Sequence, residues 1–239
     1  LTFENIKNIT LSDSKNWNDK IFITFDIDWC SDEVLSYTLD LIEEYNIKAT
    51  FFVTHETQLL ERMRRNPDIE LGIHPNFNPL MNGNPEYGKN SHEVLEYFKN
   101  IVPEAVSIRS HSMTQSSTML NLFERYGFKF DCNTFIPYSS GITVRPYKHW
   151  TTLVKIPHFW EDDIHCLYQW EWQIHPFIQN NGLRVFDFHP IHIFLNTETL
   201  DRYEQAKCYA DDYQKLQTFQ NNTSFGAKDF LMALIKGDQ

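Results

Sequence analysis

Apolar positions along this chain come in short runs: Ile21–Ile27, Ala49–Thr54, Ile69–His74, Ala105–Arg109, Phe128–Cys132, Leu153–Ile156 and Leu183–His189. Each is brief, mostly β-branched or aromatic, and bounded by polar or turn-forming residues, the pattern of buried strands. Between several of them the period lengthens to that of a helix. Asp32–Tyr45 sets Val34, Leu35, Tyr37, Leu39, Leu41 and Ile42 at roughly helical spacing, with Ser31 or Asp32 placed to cap the first turn. Ser117–Tyr126 does the same with Met119, Leu120, Leu122 and Phe123. The alternation predicts an α/β fold on a parallel sheet, and seven such runs favour closure toward a barrel. Residues 198–239 read as helices covering the outside, so residues 1–239 are expected to form one domain.

Two long connections, Pro75–Asn90 and Asn133–Trp150, interrupt this rhythm. Loops of that length in a compact domain are usually functional or mobile. In parallel α/β barrels the chemistry gathers where strands end, and here the ends are rich in carboxylate, imidazole and guanidinium. The first run ends in Asp26 and Asp28, two apart, which on extended chain point to one face. Two neighbouring carboxylates repel, and a divalent cation relieves the repulsion. One then binds the ion and the other stays free as a base; the competing reading is a turn with solvated acids. His74 and Asn78, spaced i, i+4, can reach one ion from a single turn. For Asn78 an ordinary Asn-Pro turn competes, repeated at Asn84-Pro85. Imidazole with oxygen ligands suits zinc best, with cobalt, manganese, nickel or iron as alternatives.

Arg109, at another strand end, is placed to pair with Asp26 and orient it; a structural salt bridge is the plainer alternative. His111 reads equally as ligand, substrate contact or loop residue. His158, Asp162 and Asp163 surround Trp160, and a carboxylate there could hydrogen-bond His189 and raise its pKa, as a general acid needs. His189 directly ends an apolar strand and is preferred over His192 as that acid, leaving His192 to the substrate. Trp29, Phe77, Trp150 and Trp160 offer ring faces to a sugar, although packing is the commoner fate of such residues. His55, His92, His149, His165 and His175 lack comparable surroundings.

Composition narrows the partners. The formal charge is −11, from 32 acidic against 21 basic residues, and no basic run of five or more occurs. That argues against nucleic acid or an anionic membrane surface. No apolar run approaches the roughly 18 residues that span a bilayer, and the polar first residues do not resemble a signal peptide. The four cysteines, Cys30, Cys132, Cys166 and Cys208, are widely spread without a CxxC pair. Reduced thiols in a cytoplasmic protein are the expectation, not a disulfide framework or a thiolate zinc site.

In this order, over residues 21–192, the motifs resemble the polysaccharide deacetylase family, also called the NodB-homology fold or carbohydrate esterase family four. Thr24-Phe25-Asp26-Ile27-Asp28 resembles its first motif, where one Asp is the base and a following Asp binds metal. Lys48-Ala49-Thr50-Phe51-Phe52-Val53 is similar to its second strand, and His74 to Asn78 to its second motif. Arg109, Trp160–Asp163 and Phe188-His189 stand where the third, fourth and fifth belong. The stretches His74-Pro75-Asn76-Phe77-Asn78 and Phe188-His189-Pro190-Ile191-His192 are most similar to a WbmS-like branch associated with lipopolysaccharide O-antigen synthesis.

The resemblance implies a distorted (β/α) barrel of about seven parallel strands. It also implies a metal-dependent hydrolase that removes an N-acetyl group from a sugar or polysaccharide precursor. Asp26, Arg109, Asp162 and His189 would serve the chemistry, Asp28, His74 and Asn78 the metal, and Trp29, His111, Trp160 and His192 the substrate. The chain departs from the pattern in three ways: Ile27 separates the two acids, Asn78 stands for a second His, and Arg109-Ser110-His111-Ser112 replaces an Arg-Pro-Pro-Tyr. His111 is therefore a second candidate to complete the metal site. Competing functions are a non-catalytic carbohydrate-binding protein on the same fold, a small-amide deformylase, and a glycosyltransferase using its Asp-x-Asp pair. Neither the sugar nor the oligomeric state is encoded in these motifs.

Overall fold

The structure, a computed structural model, describes residues 2–179 and 181–237. Its strands are β1 (Thr2–Phe3), β2 (Lys20–Asp26), β3 (Ala49–Val53), β4 (Ile69–Ile73), β5 (Ser107–Ile108), β6 (Phe130–Asp131), β7 (Tyr147–Lys148), β8 (Val154–Lys155), β9 (Trp160–Glu161) and β10 (Val185–Phe188). They form one sheet in the order β7-β8-β6-β5-β4-β3-β2-β10-β9, with β1 beside β2. Every pairing is parallel except β7 with β8. The sheet curls into a half-barrel. Beyond β9 a parallel bridge joins His158 to Phe135, with Ile136 N–H donating to the His158 carbonyl at 3.0 Å, so the free edge is tied back to the segment after β6.

All seven apolar runs contain strands, as expected. The central ones are buried along most of their length, as parallel strands covered on both faces must be. Phe25 stacks on Phe51 with centroids 4.7 Å apart, locking β2 to β3. Gly72 permits the next approach: a Cβ there would lie 2.7 Å from the Phe52 ring and 2.9 Å from the Ser107 carbonyl.

The helices follow their sequence signals. Asp32–Glu44 begins at Ser31, whose hydroxyl accepts from Val34 N–H, and buries Val34, Leu35, Leu39 and Ile42. Ser117–Arg125 is capped by Ser116 and buries Met119, Leu120, Leu122 and Phe123. The C-terminal region forms helices at Leu200–Ala206, Tyr213–Gln217 and Ala227–Lys236; of the range expected there, 238–239 lie outside the described residues, as does residue 1. Phe230 of the last helix stacks on Trp160, centroids 4.6 Å apart at 14°, and so covers the barrel wall beside β9 and β10. Among the described residues no helix is long and apolar enough to cross a membrane.

Candidate active site

Strand β2 ends at Asp26, and the chain then turns sharply, with Asp28 at φ 30° and Trp29 at φ 53°. Asp28 is thus not on the strand, as its spacing from Asp26 suggests, but on a left-handed turn. Such conformations cost of order 1–3 kcal/mol each and persist only where neighbours enforce them. Here Trp29 N–H donates to Thr54 Oγ1 at 3.1 Å and Cys30 N–H to the Ile27 carbonyl at 2.9 Å. The turn swings the Asp28 carboxylate toward His74, which follows β4.

Three donor atoms converge there. His74 Nε2 lies 3.3 Å from Asp28 Oδ1 and 3.3 Å from His111 Nδ1, and His111 Nδ1 lies 3.6 Å from Asp28 Oδ1. A tetrahedral ion with arms of about 2.0–2.1 Å needs ligand atoms about 3.3–3.4 Å apart. The buried Asp28 Oδ1 has no hydrogen-bond partner, so its bonding capacity is open. Burial pushes the Asp28 carboxyl up, but the neighbouring imidazoles of His111, His74 and His189 outweigh it and hold it low. Two imidazoles and one carboxylate in this geometry fit a divalent ion with a fourth position free.

Asn78 stands outside this group. It opens the short helix Asn78–Met81, its amide donates to Ser112 Oγ at 3.0 Å, and its carbonyl accepts from Thr114. Both of its polar ends are already engaged in the loop that carries His111.

Beside the donor trio, Asp26 faces two partners. Arg109 Nη1 donates to Asp26 Oδ1 at 2.9 Å, and His74 Nδ1 lies 3.3 Å from Asp26 Oδ2. Arg109 is buried over the Phe52 ring and also binds Asp187 and the Thr24 hydroxyl. Burial favours a neutral Asp26, but the charge of Arg109 and then of His74 outweighs it and holds this carboxyl far below the usual range. Asp187 goes the other way: burial dominates, and its pKa is pushed up to about 8.

His189, at the end of β10, lies on the far side of Asp28, its Nε2 3.6 Å from Asp28 Oδ2. Asp162 is fully buried behind it, accepting from His189 Nδ1 at 2.7 Å and from its backbone N–H at 2.8 Å. Burial alone would lower this imidazole's pKa, but the charge and hydrogen bond of Asp162 raise it well above the ordinary value.

These groups line a cavity of about 120 Å³, together with Ser110, Ser112, Met113, His158, Glu161, Asp163 and Asp187. Glu161 Oε2 lies 3.3 Å from His158 Nε2. Burial, then the charges of Asp163 and Asp187, raise the Glu161 carboxyl well above its usual range, while burial and Arg109 keep His158 neutral. Asp187 and Glu161 are not singled out by the sequence reading. The signal for Asp187 is present, since it precedes His189 by two residues at the end of one strand and so shares its face.

Three expected substrate contacts are placed differently from one another. Trp29 is 37 % exposed at the mouth, its ring edge-on to His111 at 5.1 Å. Trp160 is corrected: it is wholly buried, packed on Phe230, with its indole N–H on His165, and lies outside the cavity lining. His192 is corrected likewise, buried behind His189 with its Nδ1 3.0 Å from Thr197 Oγ1.

A curled parallel half-barrel with carboxylate, imidazole and guanidinium at its strand ends defines the class of NodB-type polysaccharide deacetylases. A family model described as WbmS-like polysaccharide deacetylase matches residues 23–207, and the chain belongs to that family. A solved structure from Bordetella bronchiseptica, described as a polysaccharide deacetylase involved in O-antigen biosynthesis, is 43% identical. The match covers 100% of this chain and 98% of that one, with a TM-score of 0.94. A structure from Mycobacterium smegmatis, described as a polysaccharide deacetylase, shares the fold at 15% identity, 99% and 94% coverage and a TM-score of 0.50. A search of curated proteins finds no match.

Proposed function

We propose that this protein is a metal-dependent hydrolase that removes an N-acetyl group from a sugar during the assembly of a surface polysaccharide such as an O-antigen. One observation carries the reading. An ion-sized gap between His74, His111 and Asp28 is flanked by a carboxylate held ionised, Asp26, and an imidazole held protonated, His189.

His74, His111 and Asp28 would hold an ion there, zinc first among the candidates, and it would supply Lewis-acid chemistry to a water and an amide carbonyl. The remaining work belongs to the chain. Asp26, oriented by Arg109, takes the proton of the attacking water. His189 donates its Nε2 proton to the departing nitrogen, which would otherwise be a poor leaving group. Asp162 holds the imidazolium charged and aimed. Trp29 offers a ring face at the mouth. Glu161, His158 and Asp163 form a polar wall suited to sugar hydroxyls, and Asp163 Oδ1 and His158 Nδ1 lack partners within the protein. The cysteines are unpaired, which supports a cytoplasmic place of action on a precursor.

The test is to strip the protein with a chelator, re-supply zinc, cobalt, manganese or nickel, and measure acetate release from N-acetylated sugars. Release that follows about one bound ion per chain is expected. Release undiminished in the fully stripped protein would overturn the reading.

A further inference from the structure

The third donor, His111, lies on no long element: β5 before it has two residues, and Ser112 and Met113 after it stand at φ 55° and 51°. Something other than the sheet must fix it. Its own backbone N–H donates to the Pro75 carbonyl at 3.0 Å, in the loop that begins at His74. The preceding N–H, of Ser110, donates to Asn133 Oδ1 at 2.6 Å. Asn133 follows β6 and is itself locked, because its backbone N–H and its Nδ2 both donate to Asp131 Oδ1, at 2.9 and 3.0 Å. Only one orientation of the amide meets Asp131 with its donor and Ser110 with its acceptor. Asp131 is held in turn by Lys155, whose ammonium lies 2.8 Å from Oδ2, and Gln115 spans Lys155 and the Asn133 carbonyl.

Asp131, Asn133, Ser110 and Lys155 are all buried. A buried ion pair is weak evidence for stability, since well-packed apolar residues often serve as well. Here the pair orients an amide that grips the backbone next to a donor. We infer that Asn133, held by Asp131 and Lys155, is a positioning residue that sets His111 at bonding distance from the ion. This rests on the metal reading above, with His111 as ligand.

The experiment titrates metal-free protein with Co²⁺ and follows the visible absorption band, which reports affinity and ligand geometry together. Wild type should bind one Co²⁺, and His111→Ala should bind it far more weakly. Asn133→Ala should weaken binding by about ten- to hundredfold, the usual effect of losing a support behind a ligand, and shift the band. Should that variant not fold, Asn133→Ser is used, whose shorter side chain keeps a hydroxyl for Asp131 but does not reach Ser110 N–H. An unshifted band with affinity within twofold of wild type in a folded Asn133 variant overturns the inference and leaves the metal reading intact. If His111→Ala binds like wild type, His111 is not a ligand and both fall.

Discussion

Arg109 lies between two carboxylates and, with His74, decides which of them keeps its proton. Asp26 has the guanidinium on one oxygen and His74 beside the other, so it stays ionised; Asp187 has the guanidinium too, but burial and the charge of Asp26 prevail. The base assignment predicts that Asp26→Asn lowers kcat by about 10²–10⁴-fold with Co²⁺ affinity nearly unchanged; a variant retaining full activity would remove Asp26 from the chemistry. The pH profile follows from the same charges. Asp26 must be deprotonated and its lowered pKa keeps it so through the ordinary carboxylate range, so any acid limb should accompany loss of the ion and not titration of Asp26. His189 must be protonated, so activity should decline only above its ordinary pKa of about 6.5. Replacing Asp162 with Asn removes the charge that raises His189, and the alkaline limb should move down by about one pH unit or more. An unmoved limb means that another group sets it. The pairing of Arg109 with Asp26 is legible because each stands at the end of an apolar run; His189 does too, but its partner is legible only as one of two carboxylates, Asp162 or Asp163. Asp28 and Asp187 show the limit of that reasoning. Alternation applies to Asp187 with His189, where the backbone stays extended past β10, but not to Asp26 with Asp28, where it turns left-handed.

Among the elements, the presence of a surrounding apolar run determines what the sequence discloses, so that β5, β6 and β8 are legible with only two residues each. β2, β3 and β4 have five or more residues and a clear apolar run. β1, β7 and β9 have two residues each and no apolar run around them that the sequence reading recognises. Trp160 was misread for this reason: it belongs to one of these short strands and faces inward, whereas its neighbours in sequence suggested a loop beside the site. His111 as a donor was only one option among several, since a bond from Asn133 to the backbone of Ser110 leaves no trace in local pattern. Strand β4 has little room at Gly72. In Gly72→Ala the added methyl would meet the Phe52 ring at 2.7 Å and the Ser107 carbonyl at 2.9 Å. Overpacking of this kind typically costs about 1–3 kcal/mol. Thermal unfolding should show a lower Tm, and Co²⁺ affinity should fall too, because β4 and β5 lead to His74 and His111. An unchanged Tm would show that β3 and β5 yield freely.

At the scale of the whole molecule, the wall beside β9 and β10 and the reactive end depend on different contacts. Phe230 joins the last helix to Trp160 and Phe188, rings that lie outside the cavity lining although Glu161 and His189 follow them directly in sequence. Phe230→Ala should cost about 3–5 kcal/mol in urea unfolding while the folded fraction keeps wild-type kcat; a matching loss of kcat would show that the helix also shapes the cavity. The donor trio has a different reach. Asp28, His74 and His111 sit on three separate connections, after β2, β4 and β5. An ion bound by all three is therefore a cross-link between distant stretches of one chain, and its binding free energy adds to the stability of the folded state. Chelation should loosen these connections together, so a protease would cut the stripped protein at the turns around residues 28, 75 and 112 and spare them in the loaded one. Starved of metal, the protein would become not only idle but short-lived, and its abundance in a cell would follow the supply of the ion.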